Sequence, residues 1–456
     1  MLNSVLDAFV RKTPLTVMAR GMMERTLDPK QLDEWFEDTA DVQYTRQLLF
    51  SSVFDIMIQV VCGHYPSVHN AFQARRERIG VSITSLYNKL NGIEARTSAE
   101  LVRYAAGQMQ SLIEELGGAK EPLIPGFRVK LLDGNCLAAT EHRLKELRTL
   151  AAGPLPGKSL VVYDPSLRIP IDVFPCEDGH AQERSLLEDV LPSVESGDLW
   201  IADRNFCVRR FLFEIDARGA HFIIRQHANL PYTTIGDEKA CGSIDSGAVF
   251  EQNIIVTDES GKQCKFRRIR IRLKKPTRNN DKEIVLIVNL SKRRVHARQI
   301  GALYRKRWKI ETAFQELTLY LNCEINTLGY PPAALFAFCV ALVAYMILGI
   351  IKAALSSVYG ADRIEKEFSG YYFATELSAI YPGMLIAVPH DVWLVFRQYN
   401  QKELVSFLKQ LAKNTKLSKY KKHPRGPKKP AAKRKSDKKH PHVSTARLLA
   451  TRKNRN

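Results

Sequence analysis

The sequence predicts an α/β fold with a helical domain before it and a basic, disordered tail after it. Residues 1–115 carry apolar residues at helical spacing, residues 116–412 alternate strand-like with helix-like segments, and residues 413–456 are rich in Lys and Arg. Such alternation is typical of a mixed sheet with helices packed on it. A chain of 456 residues is long enough for two or three domains.

Residues 1–115 are predicted to form a helical N-terminal domain. Within it, the segment SITSLYNKLNGIEARTSAELVRY (residues 82–104) fits a helix, a Gly-containing turn and a second helix, which is the arrangement of a helix-turn-helix DNA reader. A helical hairpin that only packs against its neighbours has the same pattern, so both interpretations stay open. The domain is therefore a candidate for DNA binding.

The segments of the predicted sheet lie in residues 116–229 and 283–412. Apolar runs there end at Gly, Pro, Asn or Asp, as strands do. The strand-like segments are FRVKLLDGN, SLVVYDPS, RIPIDVFPCEDG, DLWIADRNF, AHFIIRQHA and EIVLIVNL. Before the last of these, residues 230–282 show short alternations broken by Gly, Asp and Pro, which predict a β-rich insertion.

Two helices follow the last predicted strand. Residues 297–321 have helical periodicity throughout and predict one long helix. Residues 333–351 run without a charge for 19 residues, which is long enough to span a membrane. A helix that is apolar on all sides is also found at the centre of large domains. The core interpretation is preferred, because the segment stands alone and a highly charged helix comes shortly before it.

The positive charge is concentrated in the tail. The net charge is +20, and residues 413–456 hold 17 Lys or Arg with a single acid, Asp437. With four prolines and few large apolar residues, this tail is predicted to be a disordered polycationic arm. Such an arm suits a polyphosphate partner, because binding releases counterions. A solubilising tail and a nuclear-import signal are the alternatives.

The eight cysteines indicate a reducing compartment. They never occur as CxxC, so no zinc finger is predicted, and scattered cysteines without a secretory signal favour the cytoplasm. The charged N-terminal segment is not expected to act as a signal peptide.

Three acids stand out as candidate metal ligands. Asp133 and Asp203 each follow a predicted strand, at the sheet edge where α/β proteins place their chemistry. Tyr304, Arg307 and Glu311 share one helix face by their spacing, and Thr318 continues it. Two Mg²⁺ ions held by carboxylates can stabilise both oxygens of a phosphoryl transfer. A surface salt bridge between Arg307 and Glu311 is the alternative explanation of that pair.

The spacing Tyr-x2-Arg-x3-Glu, with DG at 133–134, DRNF at 203–206 and IVNL at 287–290, resembles DDE transposases of the insertion-sequence-four type. The resemblance covers roughly residues 120–350. It implies an RNase H-like catalytic domain with a β-rich insertion, and Asp133, Asp203 and Glu311 as catalytic and metal-binding residues. It also implies that Tyr304 and Arg307 contact DNA.

The chain departs from the family pattern at its lysine. Thr318 stands where the family has this lysine, and it can hydrogen-bond a phosphate but has no charge. Lys306 and Lys309 are candidates to supply that charge. Some relatives use a tryptophan of the insertion in a DNA-hairpin route, and none of the four tryptophans here lies in residues 230–282.

The resemblance implies a transposase of a bacterial insertion sequence. We expect Mg²⁺-dependent cleavage at transposon ends, with Mn²⁺ able to substitute, and strand transfer into target DNA. The expected partners are double-stranded end and target DNA and a second copy of the chain in the DNA complex. The expected location is the cytoplasm, at the nucleoid. The alternatives are a nuclease of the same fold without strand transfer, and an inactive DNA-binding relic.

Overall fold

The structure is a computed structural model that describes residues 4–26, 28–42, 47–137, 144–149, 152–277, 280–423 and 442–453. Its nineteen described α-helices are α1 (Ser4–Lys12), α2 (Pro14–Thr26), α3 (Pro29–Thr39), α4 (Phe50–Val61), α5 (Val68–Gln73), α6 (Arg76–Ile79), α7 (Ile83–Gly92), α8 (Ala95–Glu115), α9 (Leu187–Val190), α10 (Arg209–Ala217), α11 (Ala297–Tyr304), α12 (Trp308–Tyr320), α13 (Pro331–Tyr359), α14 (Ala361–Glu367), α15 (Gly370–Ala387), α16 (His390–Trp393), α17 (Val395–Gln398), α18 (Gln401–Asn414) and α19 (Thr445–Lys453). Its described strands are β1 (Arg128–Leu137), β2 (Gly153–Leu155), β3 (Gly157–Asp164), β4 (Ile169–Cys176), β5 (Asp198–Ala202), β6 (His221–Arg225), β7 (Thr233–Ile244), β8 (Gly247–Thr257), β9 (Gln263–Leu273), β10 (Glu283–Val288) and β11 (His442–Ser444).

A mixed sheet of nine strands organises the α/β part, in the order β4-β3-β1-β5-β6-β10-β9-β8-β7. β1 pairs in parallel with β5, and β5 pairs in parallel with β6. All the other neighbouring strands of this sheet are antiparallel. The predicted α/β class is therefore confirmed. Residues 230–282 contain β7, β8 and β9, which extend the sheet at one edge.

Helices cover both faces of the central strands. Every residue of β3 and β5 is buried, as expected for strands covered on two sides. Consecutive side chains alternate between the faces, so Leu131 joins the apolar cluster that contains α13 and Leu132 joins the one that contains α9 and α10.

The apolar helix α13 lies at the centre of the molecule. It packs against β3, β4 and several helices of the N-terminal and C-terminal parts. Within the described part of the chain it is the single continuous helix of membrane-spanning length and apolarity, and α15 with α16–α17 reaches that length only as a pair bent by 116°. The most apolar 18-residue window of α13 is entirely buried inside the fold, which agrees with the core interpretation.

The candidate helix-turn-helix corresponds to α7 and α8. α8 packs against α13 and β4, and Arg103 Nε donates to Asp172 Oδ1 of β4 at 2.6 Å. The exposed residues at its C-terminal end include Glu114 and Glu115, whose charges repel phosphates. In this fold one face of α8 packs in the core, and DNA binding by the N-terminal domain stays a prediction.

The tail differs from the predicted disordered arm at both of its ends. Tyr420 is buried, and β11 pairs in parallel with β2. Arg447 Nε donates to Asp178 Oδ2 at 2.8 Å, and Thr445 is fully buried. The prediction of disorder used the average composition of the whole tail. It therefore overlooked short segments at the two ends that form a strand or bury side chains. Residues 424–441, which hold eight of its Lys and Arg, lie outside the described residues.

Candidate active site

Two acids meet at one edge of the sheet because β1 and β5 run parallel and in register. Leu132 pairs with Ala202 at the end of that pairing, so the following residues, Asp133 and Asp203, occupy neighbouring positions. Asp203 follows β5 directly, as predicted. Asp133 does not end its strand, contrary to the prediction, because β1 continues to Leu137 by pairing with β3.

The predicted long helix is divided at the residues that face these acids. α11 ends at Tyr304, a single 3-10 turn covers Arg305–Arg307, and α12 begins at Trp308. A 3-10 turn winds more tightly than an α-helix, so it changes the direction of side chains that follow it. The uniform apolar periodicity of residues 297–321 did not reveal this break. α12 buries Ile310, Ala313 and Leu317 as one stripe in the cluster that contains α13.

Arg307 connects the helix to the sheet. Its Nη1 donates to Asp133 Oδ2 at 2.8 Å, across 174 residues of sequence, and its Nη2 donates to Glu311 Oε1 at 2.5 Å. The i,i+4 salt bridge between Arg307 and Glu311, which the sequence suggested, therefore exists. Arg307 also pairs with Asp133, so it links the two acids. The side chain of Arg307 is only 10% exposed, so its two charge-assisted bonds form in a largely dry environment.

The acids influence one another electrostatically. The pKa of Asp133 is raised to about 7, chiefly because the carboxyl is buried, and the charges of Asp203 and Glu311 raise it further while Arg307 opposes them. Burial likewise raises the pKa of Tyr304 to about 12, so its hydroxyl stays protonated and can donate a hydrogen bond. The site thus combines mutually repelling carboxyl groups with one buried guanidinium.

The three acids differ in donor chemistry and in arrangement from a ready metal site. No group of three or more His, Cys, Asp or Glu within the described ranges lies close enough to hold an ion, and both oxygens of Asp133 are engaged, by the Gly134 N–H at 3.0 Å and by Arg307. The three candidate ligands are all carboxylates, the donors that hard divalent cations prefer, so their chemistry fits such an ion. Their arrangement holds the Arg307 guanidinium between Asp133 and Glu311, which a cation shared by these two carboxylates would have to displace.

Residues 155–347 match the family model of the transposase DDE domain. The match includes Asp203 and Glu311 and begins after Asp133. It supports a DDE transposase, a class of nucleic-acid-cutting enzymes that generally use divalent metal ions. No curated protein matches the chain. A piggyBac transposase synaptic complex with hairpin DNA is similar at 9% identity and a TM-score of 0.35, over 85% of this chain and 82% of that one, a likeness too small to support an argument.

A fourth carboxylate, which the sequence did not single out, lies beside the candidate site. Glu183 packs so closely on Gly134 that a Cβ at position 134 would collide with its Oε1. Asn205 Nδ2 donates to Glu183 Oε2 at 3.0 Å, and the Asn205 N–H donates to Asp203 Oδ1 at 2.7 Å. Glu183 therefore lies between the two segments that carry Asp133 and Asp203. Its sequence neighbourhood offers no signal for this, because the contact depends on how the chain returns to the sheet edge.

A cleft of about 850 Å³ is lined by Asp203 and Glu311. Tyr304 of α11 and Trp308 of α12 line it as well. The connection from β9 to β10 contributes Lys274, Lys275 and Thr277 to the same lining. Trp308 is 58% exposed, which leaves an apolar ring surface at the cleft.

The three remaining candidate DNA contacts do not lie in this cleft. Thr318 is exposed near the end of α12, and its hydroxyl donates to the Phe314 carbonyl at 3.1 Å. Lys306 lines a different cleft, with Phe127 and Arg294. Lys309 is partly buried, and burial together with the charges of Lys306 and Arg168 lowers its pKa. Helical spacing alone did not show that these three residues lie outside the cleft.

A buried polar group fixes α12 to the core of the molecule. Glu316 Oε2 accepts hydrogen bonds from Tyr345 Oη at 2.7 Å and from Lys352 Nζ at 3.1 Å, both on α13. Burial by itself raises the pKa of Glu316, but Lys352 and Tyr345 outweigh it, so this pKa is lowered. Glu316 follows Glu311 on the same helix, so the group helps hold Glu311 at the sheet edge.

Proposed function

We propose that this chain is the DNA transposase of a bacterial insertion sequence, of the insertion-sequence-four type. It cuts at the transposon ends in the presence of Mg²⁺ and transfers the freed strands into target DNA. One observation carries the proposal: Asp203, Arg307 and Glu311 line one cleft, and Arg307 also binds Asp133, so acids from distant parts of the sequence lie close together. A surface ion pair between Arg307 and Glu311 would not require Asp133.

The catalytic domain is proposed to be RNase H-like. The strand order β4-β3-β1-β5-β6 supports this, with an antiparallel set of three strands followed by two strands parallel to β1. The strands β7, β8 and β9 then form the β-rich insertion that precedes Glu311.

Each residue of the site has a proposed role. Asp133, Asp203 and Glu311 would hold two Mg²⁺ ions, or Mn²⁺ in their place, which supply charge stabilisation for the attacking and leaving oxygens. Tyr304 keeps its hydroxyl proton and donates it in a hydrogen bond to a DNA phosphate. Arg307 positions Asp133 and Glu311 and offers its guanidinium to the phosphate that enters the cleft.

The proposed partners are double-stranded DNA, as transposon ends and as target, and a second copy of the chain in the DNA complex. The excess of positive charge supports a polyphosphate partner, because phosphate contacts provide most of the sequence-independent affinity. The proposed location is the bacterial cytoplasm, at the nucleoid.

The test is to incubate the purified protein with its own flanking DNA ends, a target plasmid and Mg²⁺, and to separate the products on a gel. We expect metal-dependent cuts at the ends and joined products with the plasmid. Cuts without joined products would indicate a nuclease of the same fold. Binding of ends without any cut would indicate an inactive DNA-binding relic.

Replacing the eight Lys and Arg of residues 424–441 with Gln is expected to weaken binding to end DNA and to random DNA alike. These residues can contact phosphates, which position a protein without specifying a sequence. The dependence of log affinity on log salt should become flatter, because fewer counterions are released. Fluorescence anisotropy on both DNAs at several salt concentrations measures this. The ordered segments 413–423 and 442–453 stay intact in this variant, and a loss confined to end DNA would contradict the prediction.

A further inference from the structure

The described residues at the two ends of the connection between β9 and β10 make backbone hydrogen bonds beside the cleft. The Lys274 N–H donates to the Ser246 carbonyl, in the turn between β7 and β8, at 2.9 Å. The Leu273 N–H donates to the Lys282 carbonyl, also at 2.9 Å, which closes the base of the connection. Two backbone hydrogen bonds therefore fix the point where the chain leaves β9.

A second set of contacts links this connection to Arg225, which also lines the cleft. Arg225, at the end of β6, donates from Nη2 to Asp281 Oδ2 at 2.9 Å. Thr277 Oγ1 donates to the same oxygen at 3.0 Å, and the Thr277 N–H donates to the Asp281 carbonyl at 2.9 Å. The connection is thus anchored at both ends, and Lys274, Lys275 and Thr277 line the cleft together with Asp203 and Glu311.

Most of the arginines that line the cleft are paired with acids. Arg225 pairs with Asp281, Arg307 pairs with two acids, and Arg305 lies 3.8 Å from Asp245, whereas Arg204 has no ion-pair partner among the described residues. Lys274 and Lys275 are exposed, and neither has an ion-pair partner in the part of the chain that the structure describes. Both lysines therefore line the cleft that contains Asp203 and Glu311 while their charges stay solvated.

We infer that Lys274 and Lys275 bind phosphates of the DNA strand that occupies the cleft. The inference rests on the proposed function and names two cleft residues that supply unpaired positive charge. Thr318, Lys306 and Lys309 do not line this cleft, whereas Lys274 and Lys275, from residues 230–282, do. A lysine ammonium is a compact charge on a flexible stem, which suits a phosphodiester whose exact position varies with DNA sequence.

The test is the binding of flanking end DNA without divalent metal, so that cleavage does not enter the measurement. Each neutralised phosphate contact reduces the salt slope by about 0.9 units. The variant Lys274→Gln/Lys275→Gln should therefore lose close to two units of slope and bind on the order of tenfold to a hundredfold more weakly at 0.1 M salt. Lys274→Arg/Lys275→Arg keeps the charge and should retain nearly all of the affinity.

The matched control is Lys239→Gln/Lys265→Gln. These two lysines are exposed on β7 and β9 of the same insertion but do not line the cleft, and the change in net charge is identical. An equal loss in this control would mean that only total charge matters, and the inference would be wrong. Wild-type affinity and slope in the Lys274→Gln/Lys275→Gln variant would overturn it as well.

The same experiment separates this inference from the proposed function. If the wild-type protein neither binds nor, with Mg²⁺, cuts its end DNA, both fall. If the wild type binds and cuts while the cleft variant behaves like the wild type, only the role of Lys274 and Lys275 is refuted.

Discussion

Asp203→Ala is expected to lower cleavage of end DNA by at least about a hundredfold, since metal ions supply several kcal/mol of charge stabilisation and each 1.36 kcal/mol is a factor of ten. Asp133→Ala and Glu311→Ala should have effects of similar size, because each removes one of the three carboxylates proposed to hold metal. Binding to end DNA should persist, because the removed groups are negative and DNA is a polyanion.

Cleavage is measured by gel analysis of single-turnover reactions, and binding by anisotropy without metal. Asp245→Ala is the control, because Asp245 lines the same cleft, loses the same charge and has a side chain that is 99% exposed. It should cut at close to the wild-type rate. A triad variant that cuts within tenfold of the wild type would show that its residue is wrongly assigned.

Lys352→Met should destabilise the protein by about 3 kcal/mol, the lower end of the range for breaking a largely buried ion pair from one side. The carboxylate of Glu316 would remain, with a side chain only 16% exposed, and would keep Tyr345 as its hydrogen-bond donor. For a chain of this size the melting temperature should fall by about 3 °C. Because α12 carries both Glu316 and Glu311, cleavage should fall as well.

Thermal unfolding followed by circular dichroism measures the shift. The double variant Glu316→Gln/Lys352→Met removes both charges and should recover most of the lost stability, since a neutral pair leaves no buried charge. Lys366→Met, at an exposed position of α14, is the control and should change stability by less than about 0.5 kcal/mol. Equal melting temperatures for Lys352→Met and Lys366→Met would contradict a structural role for the ion pair.

Local patterns in the sequence were sufficient for the class of fold and for part of the site. Alternation and helical spacing predicted the α/β class, and a run of uncharged residues predicted α13. Spacing by three and four residues placed Tyr304, Arg307 and Glu311 on one face, and the end of an apolar run marked Asp203. The fold class and α13 were predictable because the backbone repeats of strand and helix act over a few residues, and the side-chain pattern follows them directly.

The tertiary structure alone decided which distant groups meet. The pairing of Arg307 with Asp133 depends on the register of β1 with β5 and on the packing of α12. The approach of Glu183 to Gly134, the absence of Thr318 from the cleft, the presence there of Lys274 and Lys275, and the docking of β11 on β2 depend on packing in the same way. Contacts between residues far apart in sequence are chosen by the whole set of packed side chains, and no short segment contains that information.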